Sequence, residues 1–258
     1  MRYEILGPIR VVNGSGVYTL GAPKMEVLLA ALLVNADQVL TVDQLRTEIW
    51  EDDAPRRALA TFQVYISQLR KFLRQAGGTG NPIVRREAGY QLVLGADELD
   101  VRVFTQLMRA GREYARAGRH EAARGAFSSA LRLHHGPVVG DLGCGPVINQ
   151  FRTWACEAVL ECHEALIDAE LALGCHQETV GRLYSLTTEH PYNETFYGQL
   201  MRALDRSGRR AEALKVYRSA GSRLMVDLGI GPSPGLREIH DSILAPPACA
   251  RSRPVARR

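Results

Sequence analysis

The chain opens with strand-like alternation and then changes period. Arg2 to Val12 reads as one strand and Val17 to Leu20 as a second, with Asn13-Gly14-Ser15-Gly16 as the hairpin turn between them. Pro23 starts a helix whose apolar side is Val27, Leu28, Ala31, Leu32 and Val34, and Asn35-Ala36-Asp37 ends it. Thr41 followed by Gln44 is a capping-box pattern, so a second helix should begin there and run to Trp50, burying Leu45, Ile49 and Trp50. Glu51-Asp52-Asp53-Ala54-Pro55 breaks it.

A third helix is expected over Arg56 to Arg74. Its apolar stripe at helical spacing is Leu59, Phe62, Tyr65, Ile66, Leu69, Phe72 and Leu73. The opposite side carries Arg57, Ala60, Val64, Ser67, Gln68, Lys71 and Arg74, with Thr61 at the boundary. That face is basic, polar and small, with hydrogen-bonding groups for base edges and cations for phosphates. Val64 is apolar on this polar face. It is either a scattered surface residue or a contact for a thymine methyl group. Two short strands follow, Pro82 to Glu87 and Tyr90 to Leu94, joined at Ala88-Gly89 with Arg85 and Arg86 beside the tip. A strand sheet, three helices and a basic hairpin predict a winged helix-turn-helix: the third helix enters the major groove, and the wing touches phosphates or minor groove.

From Asp97 to Leu244 the pattern is helical. Ala117 to Leu133 and Ser207 to Leu224 are similar to each other, and Leu173 to Glu178 has the same glycine-then-polar start. Gly174 and Gly208 are 34 residues apart, the tetratricopeptide period, whereas Gly118 lies 56 residues before Gly174. Pro191-Tyr192-Asn193-Glu194 marks another helix start, and Pro234 to Leu244 is the last helix. The fold class is therefore mostly α: an α+β winged helix-turn-helix followed by an all-α, tetratricopeptide-like repeat domain.

Charge sharpens this picture. The net charge is only +4, but Ala54 to Arg86 holds Arg56, Arg57, Arg70, Lys71, Arg74, Arg85 and Arg86 with no Asp or Glu. The tail after Pro246 adds Arg251, Arg253, Arg257 and Arg258, again without acid, while Ala96 to Ala245 is slightly acidic. Basic charge gathered on one segment is the footprint of a polyanion partner. No apolar run approaches the roughly 18 residues that span a bilayer, and the N-terminus lacks a signal-peptide core, so a cytoplasmic protein without membrane contact is expected.

One stretch points elsewhere. Asp141-Leu142-Gly143-Cys144-Gly145-Pro146 resembles the strand-end motif of S-adenosylmethionine-dependent methyltransferases, whose glycines let the cofactor lie against bare backbone. That fold needs a central strand before the motif and alternating strands and helices after it. Here only Val138-Val139 precede it, Val147 stands where a third glycine is commonly found, and Phe151 to Leu173 is one long helix. The stretch reads as a loop joining the first helical pair to that helix, with Asp141 capping or turning it and Cys144 incidental. Five cysteines without regular pairing argue against a disulfide scaffold. Cys162-His163 and Cys175-His176 lack metal-ligand spacing and fall in helical patterns. No enzyme activity, cofactor or metal is expected.

Leu20-Gly21-Ala22-Pro23-Lys24, then LLAALLVNADQVLTVDQLRTEIW, ATFQVYISQLRKFL and EAGYQLVL, resemble the DNA-binding domain of the Streptomyces antibiotic regulatory protein family, a winged helix of the OmpR type. The segment from His190 to Leu244 resembles the bacterial transcriptional activation domain that follows it in the same family. The resemblance implies a DNA-binding domain over residues 1–95 and an activation domain over 96–245; the arginine-rich composition of 246–258 predicts a basic, disordered tail. It implies a transcription activator of a secondary-metabolite (antibiotic) biosynthetic gene cluster. The expected partners are double-stranded promoter DNA, bound as tandem direct repeats near the −35 element by a head-to-tail dimer, and RNA polymerase holoenzyme. The expected DNA contacts are Arg57, Thr61, Val64, Ser67, Gln68, Lys71, Arg74, Arg85 and Arg86. The alternative is a helical-repeat interaction adaptor without sequence-specific DNA binding.

Overall fold

The computed structural model describes every residue except Asp52, Ala54, Arg56, Thr79, Asp141, Cys144 and 246–258. The roles expected of Arg56, Asp141, Cys144 and the arginine-rich tail lie outside the described residues. The chain forms two compact units, one of Met1–Ala117 with Gly125–His163, the other of Gly118–Arg124 with Glu164–Arg258.

In the first unit the opening segment is two strands, not one. β1 (Arg2–Glu4) runs antiparallel to β2 (Arg10–Asn13), with Tyr3 opposite Val11. The chain bends between them at Leu6-Gly7-Pro8, because proline cannot donate to a ladder and Gly7 must leave room for His135, whose ring would lie 2.5 Å from a Cβ at that position. β3 (Gly16–Tyr18) completes the hairpin, and the Asn13 side chain accepts from Ser15 N at 2.7 Å and Gly16 N at 3.1 Å to close the turn.

The first helix, α1 (Pro23–Val34), buries Met25 and every residue from Val27 to Leu33. From Val27 to Leu33 it is apolar all round, as a helical segment enclosed on all sides must be; Val34, expected on the buried side, is half-exposed at its end. Strand β4 (Val39–Thr41) follows, and then α2 (Val42–Trp50), which has the predicted capping box: Gln44 N donates to the Thr41 hydroxyl at 3.2 Å and Thr41 N to the Gln44 side-chain Oε1 at 2.9 Å. Next come α3 (Ala58–Gln75), β5 (Ile83–Arg85) and β6 (Gly89–Leu92), and β4, β6 and β5 form an antiparallel three-stranded sheet in that order. A two-residue strand, β7 (Glu98–Leu99), then pairs parallel with β1, giving the first sheet the order β3-β2-β1-β7.

Helix α4 (Asp100–Arg116) starts on a buried carboxylate. Asp100 is 1% exposed and accepts from Ile5 N and Leu6 N, both at 2.8 Å, and from Val101 N at 2.7 Å. One side chain thus satisfies the end of β1 and the first turn of α4. Helix α5 (His120–Leu131) and the long α6 (Pro146–Ala172) follow; α6 begins five residues earlier than the expected Phe151. Its start is capped from a distance: the buried Glu48 of α2 accepts from Val147 N at 2.7 Å and Ile148 N at 3.3 Å. Gly145 permits this approach, since a Cβ there would lie 2.9 Å from Glu48 Cα. The preceding loop is tied to β1 by His135 N and Val139 N, which donate to Leu6 O and Ile5 O at 3.1 Å each. Among the described residues of that loop there is no strand.

The second unit contains α7 (His176–Glu189), α8 (Glu194–Arg206), α9 (Arg210–Leu228) and α10 (Pro234–Leu244). Asn193 caps α8 through Thr195 N at 2.9 Å and Phe196 N at 3.3 Å, and Ser233 caps α10 through Leu236 N at 3.3 Å. Gly174 and Gly208 both turn in the left-handed region, at φ of 83° and 77°. The 34-residue period is thus a repeated helix–glycine–helix turn. Among the described residues no helix is long and apolar enough to cross a membrane.

Burial outweighs the three N–H donors at Asp100 and pushes its carboxyl up to about 6. The folded protein then holds a proton that the unfolded chain releases near pH 4, so this residue's contribution to stability rises as pH falls from above 6 toward 4. Asp100→Ala should lower unfolding stability by about 3 kcal/mol by orphaning buried N–H groups. It should also remove that part of the pH dependence, read by urea denaturation at pH 7.5 and pH 5.

Candidate nucleic-acid interface

Helix α3 starts at Ala58 and has one buried side. Phe62, Ile66, Leu69 and Leu73, spaced three and four apart, are at most 2% exposed. Tyr65 and Phe72, expected in the same stripe, are half-exposed at its edges, and Tyr65 stacks on Trp50 at 6.0 Å between ring centroids. Leu59 departs from expectation: it is 58% exposed. In the first turn the core contact falls to Ala58, and Leu59 faces the notch between α3 and the hairpin.

The opposite side of α3 is open. Arg57 at the N-cap, Val64 two turns on, and Ser67, Gln68, Lys71 and Arg74, each three or four residues from another of the set, are all exposed. Val64 is 50% exposed. Thr61 is half-exposed, and its hydroxyl donates to Arg57 O at 3.3 Å. Arg70 belongs to the same basic run but turns away from this face. Its Nε and Nη2 both donate to Ile83 O, at 3.1 and 2.8 Å, fastening the middle of α3 to β5.

The hairpin β5–β6 projects beside α3. Its tip is Glu87-Ala88, one residue earlier than the sequence suggests, because Arg86 N donates to Gly89 O at 2.8 Å and Gly89 already pairs in β6. Arg85 and Arg86 are exposed beside the tip. They line a cleft of about 240 Å³ together with Leu59 and Gln63 of α3, so wing cations and the first half of α3 share one concavity. Glu87 at the tip also lines this cleft.

A polar chain fixes the wing. Arg86 Nε donates to Gln91 Oε1 at 2.7 Å, and Gln91 Nε2 donates to Asp37 O at 2.6 Å. The Asp37 carboxylate accepts from Leu94 N at 3.0 Å and from Arg102 at 2.8 Å. These two donors, the Leu94 N–H foremost, hold its carboxyl below the usual carboxylate range.

Residues 19–92 match the family described as transcriptional regulatory protein, C terminal, and residues 99–244 match the bacterial transcriptional activator domain. The regulatory protein DnrI of Streptomyces peucetius is 31% identical, with 98% of this chain and 96% of that protein aligned. The transcriptional regulatory protein EmbR of Mycobacterium tuberculosis is 36% identical over 94% of this chain and 63% of its own length. The regulatory protein AfsR of Streptomyces griseus is 35% identical over 95% of this chain and 24% of its own length. The chain therefore spans under two thirds of EmbR and about a quarter of AfsR. A solved structure of Mycobacterium tuberculosis EmbR, in complex with a low-affinity phosphopeptide, superposes with a TM-score of 0.88 at 35% identity, covering 94% of this chain and 64% of that one.

The chain belongs to the Streptomyces antibiotic regulatory protein family. Its members are transcriptional regulators, and the N-terminal winged helix is of the OmpR type. In this member of the family, sequence reasoning missed the residues that hold the exposed face in place: Arg70, Gln91 and Asp37. Their bonds run across 13 to 65 residues of chain, and no local period announces them.

Gly89 is the tightest point of the wing, where a Cβ would lie 1.9 Å from Leu40 O across the β4–β6 pair. Gly89→Ala should force the hairpin away from β4 and lower stability by about 2 kcal/mol, visible as a reduced Tm. An unchanged Tm would show that the pair opens without cost.

Proposed function

We propose that this family member is a sequence-specific DNA-binding transcription activator, and that the exposed side of α3 with the β5–β6 wing is its DNA interface. The observation that carries the proposal is the acid-free, cationic outer face of α3, held rigid by a buried stripe on the other side. At 18 residues α3 is about 27 Å long and of a width the major groove admits. In this reading Arg57, Lys71 and Arg74 neutralise phosphates. Thr61, Val64, Ser67 and Gln68 face base edges, Val64 toward a thymine methyl. Arg85 and Arg86 meet phosphates from the wing.

Family membership supports the finer assignment: control of a secondary-metabolite (antibiotic) gene cluster in the cytoplasm, with two protomers head to tail on tandem direct repeats and recruitment of RNA polymerase holoenzyme. In this reading DNA recognition belongs to residues 1–95 and activation to 96–245, a division supported by the family matches over 19–92 and 99–244.

Lys71→Ala and Arg74→Ala should each weaken binding to all DNA sequences and reduce the slope of log K against log salt by about 1, measured by anisotropy between 50 and 200 mM salt. Gln68→Ala and Val64→Ala should instead change which base is preferred, read by selection from a randomised duplex library. Absence of low-salt binding to any promoter fragment would leave the helical-repeat adaptor as the better account. Val64→Ala with affinity and preference both intact would remove the methyl contact.

A further inference from the structure

The second unit carries a groove of about 340 Å³ that the DNA interface does not use, bounded by α7, α8 and α9. Its floor is apolar, made by Leu200 and Val216, which are 1% and 8% exposed. Tyr184 stands at one wall, 41% exposed. The other wall is one face of α9, where Glu212, Lys215, Ser219 and Arg223 recur at three- and four-residue intervals.

The groove's charge is unbalanced. Glu212 is its acid, and both of its oxygens are taken by Arg209, at 2.8 and 2.7 Å. Arg223 donates only to a neutral group, the Tyr197 hydroxyl at 3.2 Å, and neither Lys215 nor Arg223 forms a salt bridge among the described residues. Two exposed cations thus flank an apolar floor. Eight residues of helix set them about 12 Å apart along the axis. In an extended peptide, residues i, i+2 and i+4 share one face, and i to i+4 spans about 13 Å.

We propose that this groove binds an extended acidic peptide segment of a partner protein, with carboxylates at i and i+4 paired to Lys215 and Arg223 and an apolar side chain at i+2 seated on Leu200 and Val216. The chain's own tail is a poor occupant, since residues 247–258 carry four arginines and no acid. The inference stands independently of the DNA interface, which lies on other residues.

The test is fluorescence anisotropy of the full chain at 50 mM salt with a fluorescein-labelled peptide Gly-Glu-Ala-Leu-Ala-Glu-Gly. Two control peptides accompany it: the same sequence with both glutamates replaced by glutamine, and one with the glutamates adjacent. The expected result is saturable binding of the first peptide alone, about tenfold weaker in Lys215→Glu, where one attraction is lost and one repulsion gained. Ser219→Tyr, which fills the groove without changing charge, should also abolish it. DNA binding and Tm, measured on the same variants, should stay at the parent values, so that failure here and failure of the DNA interface are distinguishable. If Lys215→Glu does not fold, Ser219→Tyr carries the test. Overturning results are no saturable binding, equal binding of the glutamine peptide, or binding that both variants leave intact, which would place the peptide on the basic face of α3.

Discussion

The winged region depends on the burial of α1 from Val27 to Leu33. A helix with Val27 through Leu33 all inside has no side to show to water, so it must be wrapped. Helices α2 and α3 and strand β6 supply the wrapping, and each contributes one apolar face: Leu45 and Ile49, then Phe62, Ile66, Leu69 and Leu73, then Tyr90 and Leu92. Having spent that side on α1, α3 has only its opposite side left for a partner. The same core that stabilises the region therefore selects which residues of α3 are available, and rigid burial fixes their orientation before any ligand arrives.

The wing is governed by a different kind of force. β5 and β6 have three and four residues, too short for strand pairing alone to hold their aim. Their position is set by directional bonds to neighbours: Arg70 to the Ile83 carbonyl, Gln91 to the Asp37 carbonyl, and the close β4–β6 approach at Gly89. Arg86 is thereby partly committed inside the protein through Gln91, whereas Arg85 makes no such bond among the described residues. Two adjacent arginines that look equivalent in sequence differ in how much rotamer freedom they would lose on meeting a phosphate.

What the sequence makes legible follows from the range of the interactions. Features set within one turn could be read directly: the Thr41 capping box, the helical period of α3, and the glycine turns at 174 and 208. The cationic side of α3 was legible for the same reason, because period fixes face. The misplaced details are those set across the chain. β4 and β7, at three and two residues, are too short to show alternation. The single strand expected over Arg2 to Val12 fails at the Leu6-Gly7-Pro8 bend, where Pro8 is a local signal but the His135 ring packed against Gly7 comes from over 120 residues away. Leu59 lies outside the core because the wing leaves a notch at its end of α3. Nothing local in the sequence announces that Glu48 and Asp100 are buried, because their N–H partners are distant along the chain.

The glycine-rich stretch from residue 141 to 146 shows why a motif needs its flanks. Glycines where bare backbone must approach something closely serve a bound cofactor and a packed helix start equally well. At Gly145 the close neighbour is Glu48, whose carboxylate takes the first N–H groups of α6. A helix N-terminus attracts an anion by its dipole and its unpaired donors. In a nucleotide-binding fold a ligand often fills that position, but here a side chain from α2 already occupies it. The chemistry that makes the sequence look like a ligand site is the chemistry of α6's own cap, satisfied from within the protein.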